Sequence, residues 1–315
     1  MKVKVLASLL GVSVLFNIAG LVFFICFLKL QGSYKNIQRE RNVMAQNLTV
    51  VRSQGAAEET LQPQNFYKRT FYSLTDGQGD TYGFQPPSMV DPADNTLVVY
   101  LHGMGSNYLE PFIYPERQTI AQSIVSHYAH TAILSCNYRK EASWGSDLAM
   151  DDISQNIREV EQQYPIKRII LMGTSMGGCT ALTYATQAPA DIKAKIKGVV
   201  SVEGAGSLKE LAELSANTTV KMAIAAAMGG PYEQVPQHYE HKSFLPNAGA
   251  LPPDVKVAVI SAKLDVIVPP QLQTKIVEAL EKQHTPVHFI SVEGGHGCPA
   301  GSIYVEGLDF AGGRG

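Results

Sequence analysis

An α/β fold, a mostly parallel sheet with helices on both faces, is predicted by three features of this sequence. Short apolar runs rich in β-branched residues alternate with segments of helical spacing from residue 67 onward. A glycine-flanked serine stands where one such run passes into a helical segment. The composition is that of an ordinary globular chain: of 315 residues, 45% are hydrophobic and 17% charged, with 27 Gly and 17 Pro.

Each element has its own signal. Thr96–Leu101 (TLVVYL) reads as a strand ending at His102-Gly103, and Thr119–His130 carries Ile120, Ile124 and Val125 at helical intervals. Thr131–Ser135 (TAILS) is a second buried strand. Leu148–Tyr164 places Ile153, Ile157 and Val160 on one helix face and stops at Pro165. Arg168–Met172 (RIILM) is a third strand, followed by Gly-Thr-Ser-Met-Gly-Gly and a helix over Thr180–Gln187. Gly198–Val202, Val255–Ser261 and Val287–Val292 supply three more strands, with the helix Leu272–Lys282 between the last two. Strands this apolar, interleaved with helices, belong in a sheet covered on both faces. Ligands of such open sheets bind beyond the carboxyl ends of the strands.

The N-terminal part has a different character. Residues 1–66 hold seven Lys/Arg against three Glu, while residues 67–315 hold nineteen against twenty-five Asp/Glu. Val5–Leu28 is an uncharged run of 24 residues, preceded by Lys2 and Lys4 and closed by Lys29. As a helix rising roughly 1.5 Å per residue it would span about 36 Å, enough for a hydrocarbon core of about 30 Å. Residues 1–32 therefore read as an N-terminal transmembrane signal-anchor. A cleaved signal, with a cut near Ala19-Gly20, is disfavoured because the apolar run continues beyond it. The bulky Ile25 before Cys26 argues against a lipoprotein site. The lysines and arginines around the run slightly favour a cytoplasmic C-terminal part. A single basic-flanked N-terminal anchor, however, commonly delivers its domain outside, and the extracytoplasmic side is the expectation. Residues 33–66 form a polar stalk or linker, and 67–315 a single domain.

Net charge, −2, speaks against a nucleic-acid binder. Four cysteines without a C-x-x-C pair exclude a disulfide scaffold and carry no zinc signature. The chemistry lies elsewhere. Gly173-Thr174-Ser175-Met176-Gly177 is a G-x-S-x-G sequence set between a strand and a helix. The turn is sharp enough that flanking Cβ atoms would clash, and it exposes the serine oxygen near the positive end of the following helix.

With this motif the chain resembles the α/β-hydrolase family across nearly all of residues 67–315, in the manner of serine esterases and lipases. The resemblance implies a triad in the chain order Ser, Asp/Glu, His. Lys263-Leu264-Asp265-Val266-Ile267-Val268-Pro269 resembles the family's acid loop, and Glu293-Gly294-Gly295-His296-Gly297 its histidine loop. Ser175 is then the nucleophile, His296 the base and Asp265 the acid. Glu203, ending the strand GVVSVEG, is the alternative acid, since some relatives carry the acid at that position. His284 and His288 also follow Asp265 but lie in a turn and a strand; His102 braces its loop; Cys298 reads as an inert thiol.

The resemblance further implies an oxyanion hole made by the backbone amides of Met176 and of Met104 in His102-Gly103-Met104-Gly105. It implies a cap in the region 204–253, where Tyr232 lies, the alternative being helices that simply cover the sheet; Trp144, in the loop after TAILS, is a further substrate-lining candidate. It implies no metal or organic cofactor. Together with the anchor read from Val5–Leu28, the expected function is hydrolysis of a small-molecule carboxylic ester by a membrane-tethered enzyme, with a peptidase, a thioesterase or a non-catalytic binding protein on the same fold as the alternatives.

Overall fold

The computed structural model describes residues 67–91, 93–112, 119–297 and 299–313. The expected transmembrane segment Val5–Leu28 lies outside these residues, as do the stalk and Cys298. Among the described residues no helix is long and apolar enough to cross a membrane.

Eight strands form one sheet: β1 (Tyr67–Tyr72), β2 (Gly79–Gln85), β3 (Thr96–Leu101), β4 (Thr131–Cys136), β5 (Arg168–Thr174), β6 (Ile196–Val202), β7 (Lys256–Ala262) and β8 (Val287–Val292). Their spatial order is β1-β2-β4-β3-β5-β6-β7-β8, with β3 to β8 mutually parallel. β1 and β2 run antiparallel at one edge. β3 and β4 are buried at every residue, as central strands covered on both sides must be.

Alternate side chains serve two cores. Leu97, Val99 and Leu101 of β3 face one side, where α2 (Asp147–Glu161), α3 (Met176–Gln187) and α8 (Pro270–Lys282) pack. Val98 and Tyr100 face the other, under α1 (Ile120–His127) and α9 (Gly301–Ala311). In α2, Ile153, Ile157 and Val160 are buried together, at the spacing that predicted the helix.

Between β6 and β7 lie α5 (Leu208–Leu214), α6 (Thr218–Met228), α7 (Pro236–His241) and a 3₁₀ turn at Leu245–Ala250; the short α4 (Ala190–Lys193) precedes β6. Leu211, Ile224, Tyr239 and Phe244 bury themselves in the core on the α3 side. Lys242, itself buried, reaches Asp147 of α2 at 2.5 Å. The region thus packs its apolar face onto the sheet layer, and the Ala216 amide donates to the Val266 carbonyl of the acid loop at 2.9 Å.

Register decides where the functional loops emerge. Leu101 of β3 pairs with Gly173 of β5, Thr174 with Val202 of β6, Val202 with Ile260 of β7, and Ala262 with Val292 of β8. The turns carrying Met104, Ser175, Glu203, Asp265 and His296 therefore leave the sheet at one edge, although up to 192 positions separate them in the chain.

Candidate active site

Ser175 follows β5 and stands at the N-cap position of α3, with φ 55° and ψ −115°, a conformation a non-glycine residue adopts only when its surroundings impose it. Those surroundings are backbone. A Cβ at Gly173 would meet the Gly177 carbonyl at 2.3 Å, and one at Gly177 would meet the Leu101 carbonyl oxygen at 1.9 Å. The Ser175 amide is held by the Val202 carbonyl at 2.8 Å. Helix α3 begins at Met176, four residues earlier than the spacing predicts. Gly177 and Gly178 are poor helix formers, but close packing, of Gly177 on the end of β3 and of Gly178 on the end of β6, holds them in the first turn.

The three residues expected to act together are brought together. His296 Nε2 lies 2.9 Å from Ser175 Oγ, and Nδ1 lies 2.7 Å from Asp265 Oδ2. The other carboxylate oxygen of Asp265 accepts the amides of Ile267 and Val268, both at 2.8 Å, which fixes its rotation. Asp265 is buried and Ser175 is 7% exposed. Burial pulls the imidazole pKa down, but the hydrogen bond and charge of Asp265, with the charges of Glu203 and Glu110, more than reverse this; the net displacement is upward.

Glu203, the alternative acid, is also here. It is fully buried at the end of β6, with φ 50°. Its Oε2 accepts the Gly297 amide at 2.7 Å and stands 3.6 Å from His296 Nδ1, against 2.7 Å for Asp265. The hydrogen-bonded contact to Nδ1 is that of Asp265. One donor atom from each of Glu203, Asp265 and His296 lies within 4.8 Å of the others, a spacing metal ligands also show. The donors are already committed to protons, however: Nδ1 to Asp265, and both carboxylates to backbone amides.

The loop after β3 faces the nucleophile, since a Cβ at Gly103 would stand 3.8 Å from Ser175 Cβ. Three of its amides are engaged: Gly103 with Glu110 Oε2 at 3.0 Å, Gly105 with the Glu141 carbonyl at 2.8 Å, and Ser106 with the Gly103 carbonyl at 3.2 Å. Among the described residues the Met104 amide has no such acceptor. Met176 opens α3, where first-turn amides lack helical partners. Both expected oxyanion donors thus have N–H groups to offer at this edge.

Sequence reasoning missed the support behind this loop. Glu110 is buried; its Oε1 accepts the Tyr100 hydroxyl at 2.6 Å, which also meets Thr174 Oγ1 at 2.9 Å, itself 2.8 Å from the Tyr304 hydroxyl. Burial and the adjacent Glu110 carboxylate hold the Tyr100 hydroxyl protonated far above its ordinary range. The network ties Thr174, the residue before Ser175, to the Gly103 loop and to α9. No local pattern marks it, because its members are spread over 205 positions.

The remaining candidates fall outside the reacting group. His102 is buried, both ring nitrogens facing carbonyls, of Gly103 at 2.8 Å and Asn137 at 3.1 Å, against the Tyr138 ring. Trp144 is only 2% exposed and packs behind the nucleophile turn, its amide 3.4 Å from Met176 Sδ, rather than forming an open wall. Tyr232 lies beyond α6, its hydroxyl on Glu240 and its ring under Lys209, and none of these bonds reaches the triad. Burial pushes the Cys136 and Cys179 thiols up to about 12, which leaves both unreactive at neutral pH.

A strained serine turn, a Ser-His-Asp chain of hydrogen bonds and a facing amide loop at the carboxyl edge of a parallel sheet define a hydrolase-type architecture. The family model described as alpha/beta hydrolase fold matches residues 96–222 of this chain. Acylaminoacyl peptidase of Pyrococcus horikoshii is a structural neighbour at TM-score 0.64 and 17% identity, over 82% of this chain and 43% of that one. The chain thus spans less than half the length of that peptidase. The fluorophosphonate-binding serine hydrolase F of Staphylococcus aureus superposes at TM-score 0.58 and 18% identity, over 77% of this chain and 94% of the other. The S-formylglutathione hydrolase of the same organism gives 0.53 and 18%, over 77% and 95%. At these identities the likeness is one of fold. A sequence search of curated proteins gave no match.

Proposed function

We propose that this protein is a serine hydrolase that cleaves carboxylic esters of small molecules through an acyl-enzyme. The observation that carries the proposal is the continuous chain from Ser175 Oγ through His296 to Asp265, with Ser175 held on a strained turn at the carboxyl edge of the sheet. Serine hydroxyls are weak nucleophiles at neutral pH, so His296 Nε2 takes the proton as Oγ attacks the ester carbonyl carbon. The carbonyl electrons move to oxygen, and the oxyanion is received by the Met104 and Met176 amides at the positive end of α3. His296 returns the proton to the leaving alcohol. Water, activated by the same imidazole, then releases the acid and restores Ser175. Asp265 holds the Nδ1–H tautomer and balances the imidazolium.

Ester cleavage is proposed from the resemblance of the Ser175 turn, the acid loop and the histidine loop to those of serine esterases, the fold neighbours including both a peptidase and an S-formylglutathione hydrolase. The α5–α6 turn, bonded to the acid loop through Ala216 and Val266, is the best candidate for a cleft wall. We further propose, from the sequence of residues 5–28, that the domain is tethered to a bilayer and faces the extracytoplasmic side.

The test is direct. A fluorophosphonate should label Ser175 covalently, and Ser175→Ala should abolish both labelling and ester hydrolysis. Absence of labelling in folded protein sinks the hydrolase reading. Parallel assays on an ester, a thioester and a peptide amide rank the three chemistries, and preferred turnover of the amide would replace the esterase reading with the peptidase one.

A further inference from the structure

Two carboxylates, not one, converge on His296. Asp265 makes the short bond to Nδ1; Glu203 Oε2 stands 3.6 Å from the same nitrogen. Glu203 does not hold the tautomer, since Asp265 already accepts that proton. Three observations argue that its position is nonetheless enforced. The residue is wholly buried, where an unneeded carboxylate is expensive to keep. Its backbone sits at φ 50°, the left-handed region that a residue with a Cβ adopts only at a cost. Its amide is pinned to the Ile260 carbonyl at 2.7 Å, and its Oε2 accepts the Gly297 amide, the residue directly after the base, at 2.7 Å. One oxygen therefore both anchors the histidine loop and places negative charge beside the imidazole.

We propose that Glu203 is a positioning residue for the base: it clamps the His296 loop through Gly297 and supplies a second negative charge that stabilises the imidazolium formed as Ser175 attacks. This rests on the serine-hydrolase reading above. Proton transfer to His296 creates a positive charge in a buried site, and a charge fixed 3.6 Å away favours it without moving during the reaction. The groups facing His296 are Asp265 from the loop after β7, Glu203 from the end of β6 and Glu110 from the turn after β3. On its own loop Glu293 pairs with Lys263. Of the three facing acids, only Asp265 and Glu203 come within 4 Å of Nδ1 as ion pairs. Glu203 is thus the nearest charge beyond the triad itself.

The assay is the rate of fluorophosphonate labelling of Ser175 against pH, measured on the full chain, because it needs no knowledge of the natural substrate. Labelling requires neutral His296, so the rate rises with pH through the imidazole pKa. Glu203→Gln keeps a carbonyl oxygen for the Gly297 amide and removes the charge. It should move the acid limb down by about one pH unit and lower the plateau rate about tenfold. A limb that stays where it is in wild type overturns the proposal, whatever happens to the plateau, because a purely structural role would not move it. Glu203→Asp withdraws the charge by one methylene and should give a smaller downward shift. It serves as the test if the Gln variant fails to fold, and an unmoved limb there overturns the proposal equally. Wild-type protein that is never labelled refutes the serine-hydrolase reading instead, so the two failures are told apart.

Discussion

Gly177→Ala is the substitution whose consequence can be worked most directly from the structure. An added Cβ would lie 1.9 Å from the Leu101 carbonyl oxygen, 2.5 Å from its carbon and 2.8 Å from the His102 oxygen, all backbone. Real Cβ contacts essentially never fall under 3.0 Å, so α3 and the end of β3 must separate by about 1.1 Å. No side chain can rotate to absorb this. Overpacking of this kind costs about 1–3 kcal/mol, which for a domain of this size lowers Tm by roughly 2–12 °C. The activity penalty is separate and larger. The separating elements carry Met176 on one side and the Met104 loop on the other, and a misplacement of about 1 Å in such a site costs on the order of a hundredfold. Gly249→Ala is the internal control: a Cβ there meets nothing within 4 Å. It should leave activity unchanged, and Tm unchanged or slightly raised. Thermal unfolding and kcat/KM for a short ester, measured on both variants, decide the matter. A Gly177→Ala protein with wild-type Tm and turnover would refute the claim that backbone contact fixes the nucleophile turn.

Asp265→Asn should lower turnover by about four orders of magnitude, as loss of the tautomer-holding acid does in serine triads, with little change in the circular dichroism spectrum. The kcat/KM profile of wild type should show an acid limb above the ordinary histidine value of about 6.5, because the base works only when neutral and its pKa is displaced upward. A limb below that value would contradict the charge environment described for His296. Glu110→Ala removes the acceptor of the Gly103 amide and the Tyr100 hydroxyl together. It should destabilise the fold by about 1–3 kcal/mol in a denaturant titration and slow ester hydrolysis through a loosened Met104 loop. The full chain should resist carbonate extraction from membranes, and a chain beginning near residue 63 should be released; extraction of the intact full chain would refute the anchor at Val5–Leu28.

Much of the molecule is legible in one dimension because its causes are local. The central strands read directly as apolar β-branched runs, and TLVVYL and VHFISV match their observed limits. The nucleophile turn is legible because only glycine tolerates 1.9 and 2.3 Å approaches, so the requirement is written into Gly173 and Gly177 themselves. The residues of the acid and histidine loops are visible through resemblance to a family, although their meeting across 31 and 121 positions is not. What escapes sequence reading is everything set by a distant partner. β1 exposes most of its residues and is a strand only because β2 offers it a ladder. α9 has no capping side chain and two glycines, and packing against the sheet makes it a helix. The start of α3 lies at Met176 because β3 presses on Gly177. The choice between Asp265 and Glu203 as triad acid rests on 2.7 against 3.6 Å, a difference set by parallel register between β6, β7 and β8. Local backbone demands leave a mark on the residue that bears them, so the sequence itself determined the parallel strands β3 to β8 and the serine turn. Electrostatic and hydrogen-bond partnerships leave a mark on neither partner alone, so only the tertiary structure decided which carboxylates surround the base.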